Sequence, residues 1–306
     1  MFMKSIYPYR VLSTVAETGK IAAAAEMLHL TPSAVSHMIL SLEEDLGFSV
    51  FRRNRSGVEL TDNGARILPL VRAVIREQEN LEQRASNIVG VHDGRVRVGA
   101  FYSITMNWLV EIFSRFRTRY PNIEIQFYEG GYQDILRGVE LNMVDIVFLG
   151  DRVAAEYDFI PLYMDEIKCV APLNFNPLHS EGGLTVADLE GQDIIMQESG
   201  EDSDTQRVLQ RFSKVPNRPH FVIEDDNCIM AMVEAGLGIA FMGNLACKRH
   251  ISRVQTFSLL PKEYRTIGLH IPNMKSLSPA TGKMRECIME YISRLTPSSG
   301  EGIVLC

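Results

Sequence analysis

The strongest constraint on how this chain can fold is the segment from Thr31 to Leu42. Thr31 is suited to cap a helix, and Pro32 fits the first helical position, where its missing N–H costs nothing. Apolar residues then recur at helical spacing and are predicted to face the core; they are Val35, Ile39, Leu42 and Leu46. The other face carries short polar side chains, namely Ser33, Ser36, His37 and Ser41. The segment therefore predicts a helix that buries one face and offers small hydrogen-bonding groups on the other.

Two shorter segments before this helix complete a helix-turn-helix pattern. A first helix starts around Val11 and is ended by Gly19, and an Ala-rich helix follows from Ile21 to Leu28. His29-Leu30-Thr31 is then a short turn into the next helix, as in DNA-binding helix pairs whose second helix enters the major groove. The residues predicted to contact DNA from this helix are Thr31, Pro32, Ser33, Ser36 and His37.

A basic turn follows the helix pair and is predicted to be a wing. The residues from Val50 to Thr61 fit two short strands around a turn that holds Arg52, Arg53 and Arg55. Three arginines within four residues often form only a solvated loop, but the position directly after the helix pair favours contact with a phosphate backbone or a minor groove. The net charge of −7 supplies no bulk attraction to DNA. Affinity would therefore depend on this local basic face and fall steeply with salt.

These residues resemble the N-terminal winged helix-turn-helix of the LysR-type transcriptional regulators over about sixty positions. The likeness is carried by Ala24-Ala25-Glu26-Met27-Leu28, Val35-Ser36, Ile39, Leu42-Glu43, Leu46-Gly47, Phe51-Arg52-Arg53 and Leu60-Thr61-Asp62-Asn63-Gly64. It implies a bacterial repressor or activator that is usually a tetramer and usually governed by a small molecule. His37 and Met38 stand where the family often has Arg or Lys and Gln, so the operator's base preferences do not follow from the resemblance.

A long helix is predicted from Thr61 to about Val89. Apolar positions alternate four and three residues apart and would form a seam for a partner helix; the seam is Ile67, Val71, Val74, Gln78, Leu81, Ala85 and Ile88. We expect it to pair protomers, the alternative being that it packs on its own domain. Pro69 predicts a kink or break near residues 65 to 69.

The chain from Gly94 onward alternates strands with helices. A β-α-β-α-β series up to Leu149 predicts an open parallel sheet, and a second such series runs from Ile167 to Met242. A strand from Thr266 to Ile271 and a helix from Pro279 to Leu295 would return to the first lobe. This predicts a two-lobed α/β effector domain resembling type 2 periplasmic binding proteins.

The expected domains follow from these patterns. Residues 1–61 would form the winged helix-turn-helix domain and residues 62–90 the linker or dimerisation helix. Residues 91–297 would form the effector-binding domain, with lobe 1 at about 94–164 and 267–297 and lobe 2 at about 165–266. Residues 298–306 would be a C-terminal tail.

Ligands of such sheets bind beyond the carboxyl ends of the strands, where helices begin. The predicted effector contacts in these loops are Tyr102, Ser103, Thr105, Gly130, Gln197, Glu198, Ser199 and Asp226. The resemblance implies central roles for Ser103 and Ser199, although both residues are equally well explained as strand-end turns. Acidic residues from Glu198 to Asp204 favour a neutral or cationic effector, unless they only cap the following helix.

Other function classes find less support in the sequence. The five cysteines form no CxxC pair, and the histidines show no metal-ligand spacing, so no metal or cofactor is predicted. A redox-responsive regulator using a cysteine of the effector domain is one alternative. A small-molecule enzyme on the two-lobed fold is a weaker one, because no catalytic triad or phosphate loop can be placed.

The sequence as a whole predicts a LysR-type regulator rather than an enzyme. Its expected partners are double-stranded promoter or operator DNA, a small-molecule effector held between the lobes, and further copies of itself, as a dimer through the linker helix and then a tetramer. No stretch reaches eighteen consecutive apolar residues and no signal peptide is evident. The expected location is therefore the cytoplasm, without a membrane partner.

Overall fold

The structure is a computed structural model in which two compact units are distinguished. It describes residues 6–55, 57–89, 93–151, 157–178, 182–197, 204–211, 221–223, 225–248, 252–272, 274–295 and 302–303. The first unit comprises Met1–Gly94 with Gly138–Met143, and the second comprises Arg95–Arg137 with Val144–Cys306.

The first unit is a small helical domain with a two-stranded wing and one long helix. Its elements, in chain order, are α1 (Tyr7–Thr18), α2 (Ile21–Met27), α3 (Pro32–Leu46), β1 (Phe51–Asn54), β2 (Gly57–Leu60) and α4 (Asp62–Ile88). β1 and β2 pair in antiparallel fashion. The predicted helix pair, wing and long helix are all confirmed.

One apolar core joins these elements. The face of α3 predicted to be buried packs into it through Val35, Ile39 and Leu42. Thr31 caps α3 as expected, its side-chain oxygen accepting a hydrogen bond from the backbone N–H of Ala34 at 3.2 Å. Gly47 ends the helix in the left-handed conformation, with φ of 78°. The polar face of α3 thus points away from the core because the apolar periodicity fixes the rotation of the helix.

The wing is attached to the helices at both of its strands. The carboxylate of Glu43 on α3 accepts hydrogen bonds from the backbone N–H groups of Val50, at 2.6 Å, and Phe51, at 3.0 Å. On the other strand, the N–H of Val58 donates to the carbonyl of Gly19 at 2.9 Å. Gly57 has φ of 150°, and a Cβ there would lie only 2.3 Å from the Gly19 oxygen. Only glycine allows the wing to approach the end of α1 this closely.

The long helix α4 differs from expectation in two respects. It is unbroken from Asp62 to Ile88 although Pro69 lies inside it, so a break is excluded and the alternative of a kink stays a prediction. The first part of the predicted seam is also wrong, because Ile67 and Val71 pack in the core of their own unit. Further along the helix, Val74, Leu81 and Ile88 are 46%, 67% and 85% exposed. The exposed seam therefore begins later than predicted.

Strands and helices alternate through the rest of the chain. The first series is β3 (Gly94–Ala100), α5 (Tyr102–Ile104), a π-helix (Thr105–Leu109), α6 (Val110–Arg119), β4 (Ile123–Glu129), α7 (Tyr132–Glu140) and β5 (Ile146–Gly150). The second series is β6 (Phe159–Ala171), α8 (Val186–Leu189), β7 (Ile195–Gln197), α9 (Asp204–Arg211), β8 (Phe221–Ile223), α10 (Asp226–Glu234), β9 (Ala240–Gly243) and α11 (Asn244–Cys247). The closing elements are β10 (Gln255–His270), a 3-10 turn (Met274–Ser276), α12 (Pro279–Ile292) and β11 (Gly302–Ile303).

The main sheet is mixed, which corrects the expectation of a purely parallel one. Its strand order is β11-β6-β10-β5-β3-β4, with β9 also paired to β6. β3 and β5 are parallel, whereas β10 runs antiparallel to both β5 and β6. The reason is the returning strand β10, which re-enters the first lobe beside β5 in the opposite direction. β7 and β8 form a separate parallel pair.

Two strands connect two apolar cores. β6 and β10 are 13 and 16 residues long, much longer than the predicted segments 167–171 and 266–271. Their first-lobe ends, through Tyr163 and Ile267, pack in a core that contains Trp108 and Phe116. Their other ends, through Cys169 and Leu259, pack in a second core. This arrangement gives the two lobes that the sequence predicted. β6 and β10 are the two strands that cross from one lobe to the other.

The close contact at Gly64 yields a test of the first unit's packing. A Cβ at Gly64 in α4 would lie 2.1 Å from the carbonyl oxygen of Val50. We expect Gly64→Ala to destabilise the protein by about 1–3 kcal/mol through overpacking, although Gly→Ala normally stabilises a helix. The measurement is the midpoint of denaturant unfolding.

The matched control is Gly282→Ala in α12, where nothing lies within 4 Å of the added Cβ. That change should stabilise by about 0.4–1 kcal/mol. Equal effects of the two substitutions would contradict the packing described for the wing and α4.

Candidate functional site

The polar face of α3 forms the first candidate site. Ser33 and His37 are exposed one turn apart, and Ser36 beside them is half-buried. Thr31 and Pro32 are exposed at the start of the helix. The face consists of small side chains, so another molecule's backbone can approach the helix closely. All five predicted contacts of this helix therefore lie on its accessible side or at its N-terminus.

The arginines of the wing differ in the residues that lie opposite them. Arg52 is directly opposite Glu59 across the two strands, and its guanidinium is 3.2 Å from the Glu59 carboxylate. Arg53 lies opposite Val58 and is exposed, as is Arg55 beside the turn. Neighbouring residues of a strand point to opposite faces, so Arg52 and Arg53 cannot face the same surface.

Glu43 is a residue of this site that the sequence did not identify as functional. Its carboxylate holds the first two N–H groups of the wing, as described above, and it stands on the same helix as the polar face. It therefore sets the position of the wing relative to α3. The sequence shows Glu43 only as a carboxylate near the end of an amphipathic helix. Such a residue is just as common on a solvated face, so its role in holding the wing was not predicted.

The second candidate site begins where β3 ends. Tyr102 and Thr105 are half-buried in the first turns after the strand, and Ser103 is 2% exposed. The Thr105 hydroxyl donates to the carbonyl of Phe101 at 3.3 Å. A π-helix follows immediately, an irregularity that is frequent at functional sites.

Other predicted effector residues lie at the ends of further strands. Gly130 follows β4, and a Cβ there would lie 2.8 Å from the Cβ of Asp134. Asp226 is the first residue of α10, but the helix is capped by Asp225, whose carboxylate accepts from the N–H of Cys228. Gln197 ends β7. Glu198 and Ser199 lie outside the described residues, so their predicted roles stay predictions.

The structure brings Ser103 against two charged residues that were not predicted. Arg265 on β10 is directly opposite Asp165 on β6. Its Nε and Nη2 lie 2.9 and 2.8 Å from Oδ2 of Asp165, which is fully buried. Nη2 also donates to the Ser103 hydroxyl at 3.4 Å, and the guanidinium lies 5.5 Å from the ring centre of Phe101. A buried ion pair on the two crossing strands thus meets the first predicted effector loop.

The same ion pair is also tied to α11. The other oxygen of Asp165, Oδ1, accepts from the backbone N–H of Leu245 in α11 at 3.0 Å. Asn107, in the π-helix, donates its side-chain N–H groups to the carbonyls of Leu245, at 2.8 Å, and Ser103, at 2.7 Å. Leu245 is therefore held at both its N–H and its carbonyl. We call Ser103, Asn107, Asp165, Leu245 and Arg265 the hinge network.

The described cysteines differ in their fitness for redox chemistry. Burial raises the pKa of the Cys169 thiol far above its usual value, and burial with the nearby Asp165 raises that of Cys247 to about 12. Neither is a thiolate near neutral pH, so neither is a good nucleophile. Cys228, in the first turn of α10, is exposed.

Within the described ranges, no group of three or more His, Cys, Asp or Glu side chains is placed to hold a metal ion. No described helix is both long enough and apolar enough to cross a bilayer.

Comparison with known proteins agrees with this arrangement. Residues 8–65 match the bacterial regulatory helix-turn-helix protein, lysR family, and residues 90–293 match the LysR substrate binding domain. The uncharacterized HTH-type transcriptional regulator YvbU of Bacillus subtilis is 28% identical over 90% of this chain and 94% of its own length.

Solved structures share the fold over nearly the whole chain. A full-length variant of OxyR from Pseudomonas aeruginosa covers 99% of both chains with a TM-score of 0.75 and 17% identity. CbnR complexed with its target DNA covers 94% of this chain and 99% of its own, with a TM-score of 0.63 and 17% identity. The family consists of transcriptional regulators, not enzymes. The chain therefore belongs to the LysR family, with a lysR-type helix-turn-helix domain followed by a LysR substrate binding domain.

Proposed function

We propose that this protein binds operator DNA through α3 and the wing and changes that binding when a small molecule occupies the loops at the strand ends. The observation that carries the DNA-binding role is the geometry of the first unit. A capped helix exposes a polar face, and Glu43 fixes a basic wing to the same helix. CbnR, which is similar in fold, has been solved with its target DNA. Promoter or operator DNA as partner also makes the cytoplasm the proposed location.

The wing's contribution to DNA binding is proposed to come chiefly from Arg53 and Arg55. Arg52 must give up its ion pair with Glu59 before it can meet a phosphate, whereas Arg53 is exposed opposite an apolar residue. Because residues 1–90 carry ten basic and ten acidic side chains, each local arginine matters. Phosphate contacts release counterions, so they are visible in the salt dependence of binding.

The effector is proposed to bind at the loops around Tyr102, Ser103, Thr105, Gly130 and Asp226, between the two lobes. Supporting this, the β3 loop meets the crossing strands β6 and β10 at the hinge network. A ligand that favours one arrangement of the lobes shifts the population toward it by its difference in affinity for the two states. The proposed outcome is altered spacing or bending of the bound DNA.

A second copy of the chain is the proposed partner of α4, and a tetramer the proposed assembly. The exposed residues Val74, Leu81 and Ile88 are seven residues apart, the spacing of a coiled-coil seam. On another side of α4, polar residues are buried within the chain, among them Arg72, which donates to the Ser13 hydroxyl and the Glu17 carboxylate. The exposed apolar residues at this spacing, which no described part of the chain covers, favour self-association.

A redox-responsive regulator is the second candidate function. It is favoured by the exposed thiol of Cys228, two residues from Asp226 in a predicted effector loop. It would be preferred if the DNA footprint responded to hydrogen peroxide and to no metabolite, and if Cys228→Ser removed that response.

We propose that α3 binds DNA and that the loop after β3 binds the effector. These separate roles are tested by footprinting on the protein's own upstream DNA, with and without a metabolite mixture. We expect Ser36→Ala to weaken binding about tenfold, the value of a hydrogen bond to a charged group. Ser103→Ala should leave binding intact and abolish the response to the mixture. Ser114→Ala, an exposed serine on α6, serves as control. Equal losses of DNA affinity from Ser36→Ala and Ser103→Ala would refute the proposal that the two sites have separate roles.

The unequal arginines of the wing give a second test. Arg53→Ala should lower the slope of log affinity against log salt by about 0.9 for each wing that contacts a phosphate. Arg52→Ala should lower it less, because that charge is paired with Glu59. The measurement is fluorescence anisotropy of a labelled duplex over a salt series. A larger effect of Arg52→Ala would place the DNA on the opposite face of the wing.

The role of α4 is tested by placing a charge on its exposed seam. Leu81→Asp is expected to lower the mass observed by light scattering to that of the monomer, since an unpaired carboxylate in an apolar interface is costly. The control is Leu178→Asp, which changes a leucine of similar exposure elsewhere. Unchanged mass in Leu81→Asp would mean that self-association uses another surface.

A further inference from the structure

The first unit contains one segment from far along the chain. Gly138–Met143 belongs to this unit, whereas the earlier part of α7, residues 132–137, belongs to the second. The side chain of Asn142 donates a hydrogen bond to the carbonyl of Pro69 in α4 at 3.1 Å. Asn142 has φ of 53°, a left-handed conformation that asparagine adopts more readily than most residues. The turn after α7 is therefore bound to α4, although 73 positions separate the two residues.

Arg72 of α4 links this turn to α1. The arginine is 8% exposed, and each of its three side-chain nitrogens has a different partner. Nη1 donates to the carbonyl of Leu141, Nε to the hydroxyl of Ser13 and Nη2 to the carboxylate of Glu17, each at 3.3 Å. The Ser13 hydroxyl in turn donates to Glu17 at 3.1 Å. Because the donors of a guanidinium lie in one fixed plane, all three bonds form only while the partners keep their relative positions.

The same end of α1 supports the wing. Gly19, two residues after Glu17, accepts a hydrogen bond from the N–H of Val58 in β2 at 2.9 Å. β2 pairs with β1, the strand that carries Arg53. A continuous series of hydrogen bonds therefore runs from the turn after α7, through Arg72 and the end of α1, to the strands of the wing.

We infer that Arg72 is a positioning residue for the wing, and that it holds the wing fully only while the turn after α7 lies on α4. The inference rests on the proposed function. Without the Leu141 carbonyl, Nη1 would be a buried donor with one partner fewer, which is unfavourable. The guanidinium would then turn toward water and release Ser13 and Glu17. A movement of α7 in the second unit would in this way reach the wing, while Arg72 itself makes no DNA contact.

Amide hydrogen exchange of the full-length protein measures the support of the wing without DNA. Arg72→Lys keeps the charge but has one nitrogen in place of three, so exchange at residues 57–60 should become about tenfold faster, the value of a hydrogen bond to a charged group. Asn142→Gly keeps the left-handed backbone and removes the bond to Pro69. It should speed the same amides, although it touches neither α1 nor the wing. Arg84→Lys, at an exposed position of α4, is the control.

The salt dependence of DNA binding separates positioning from general support of the fold. With a labelled duplex of the upstream DNA, Arg72→Lys should lower the slope of log affinity against log salt, because the wing loses phosphate contacts. In an Arg53→Ala background the same change should leave the slope nearly constant, since the contact that it supports is already gone. A further fall of the slope in that background would mean that Arg72 meets DNA directly, which overturns the inference.

The double variant tests whether the turn acts through Arg72. When Arg72→Lys is present, adding Asn142→Gly should speed exchange at residues 57–60 by less than about twofold. Independent effects of the two changes, an unchanged rate in either single variant, or faster exchange throughout α3 would each overturn the inference. If Arg72→Lys folds poorly, Ser13→Ala, which removes one of the three partners, should speed the same amides by a smaller factor. A DNA footprint that persists in any of these cases leaves the proposed function standing.

Discussion

The pairing of Asp165 with Arg265 is the interaction on which the two-lobed half of the molecule depends. It lies on the two strands that cross between the apolar cores, so both lobes share it. Removing one partner of such a buried pair costs about 3–5 kcal/mol, because the other charge is left without compensation. The pair therefore joins the lobes while fixing the side chains that meet the β3 loop.

Much of the fold could be predicted from the sequence because the elements follow simple periodicities. Thr31, Pro32 and the buried face of α3 specify that helix locally, and the wing follows from its turn. The lengths of β6 and β10 could not be predicted, because apolar alternation fails at Asp165-Glu166 and Arg265. Glu166 pairs with Lys168 and Lys262. Asp165 and Arg265 are stabilised in their strands by each other, 100 positions apart in the chain. Long-range pairing of this kind leaves no local signal.

Some residues of the candidate site could likewise be predicted from the sequence, and others could not. Ser103 was predicted because it lies in the loop after β3. Arg265 was not, since its partners lie 100 and 162 positions away. Glu43 was not, because a carboxylate near the end of a helix is common on solvated faces.

The predicted seam of α4 is wrong at Ile67 and Val71, and its later positions stay a prediction. Periodicity shows which residues share a face, but not whether that face meets the chain's own core or another chain. At those two positions the winged unit itself covers the helix.

The short strand β11 has a consequence for the outer edge of the sheet. Gly302 and Ile303 pair with Met164 and Tyr163 of β6, next to the part of β6 that β9 covers. An uncovered strand edge is a template for pairing with a strand of another molecule. β11 therefore covers part of the outer edge of β6. By occupying that edge, the two residues leave less of β6 open to pairing with a strand of another molecule.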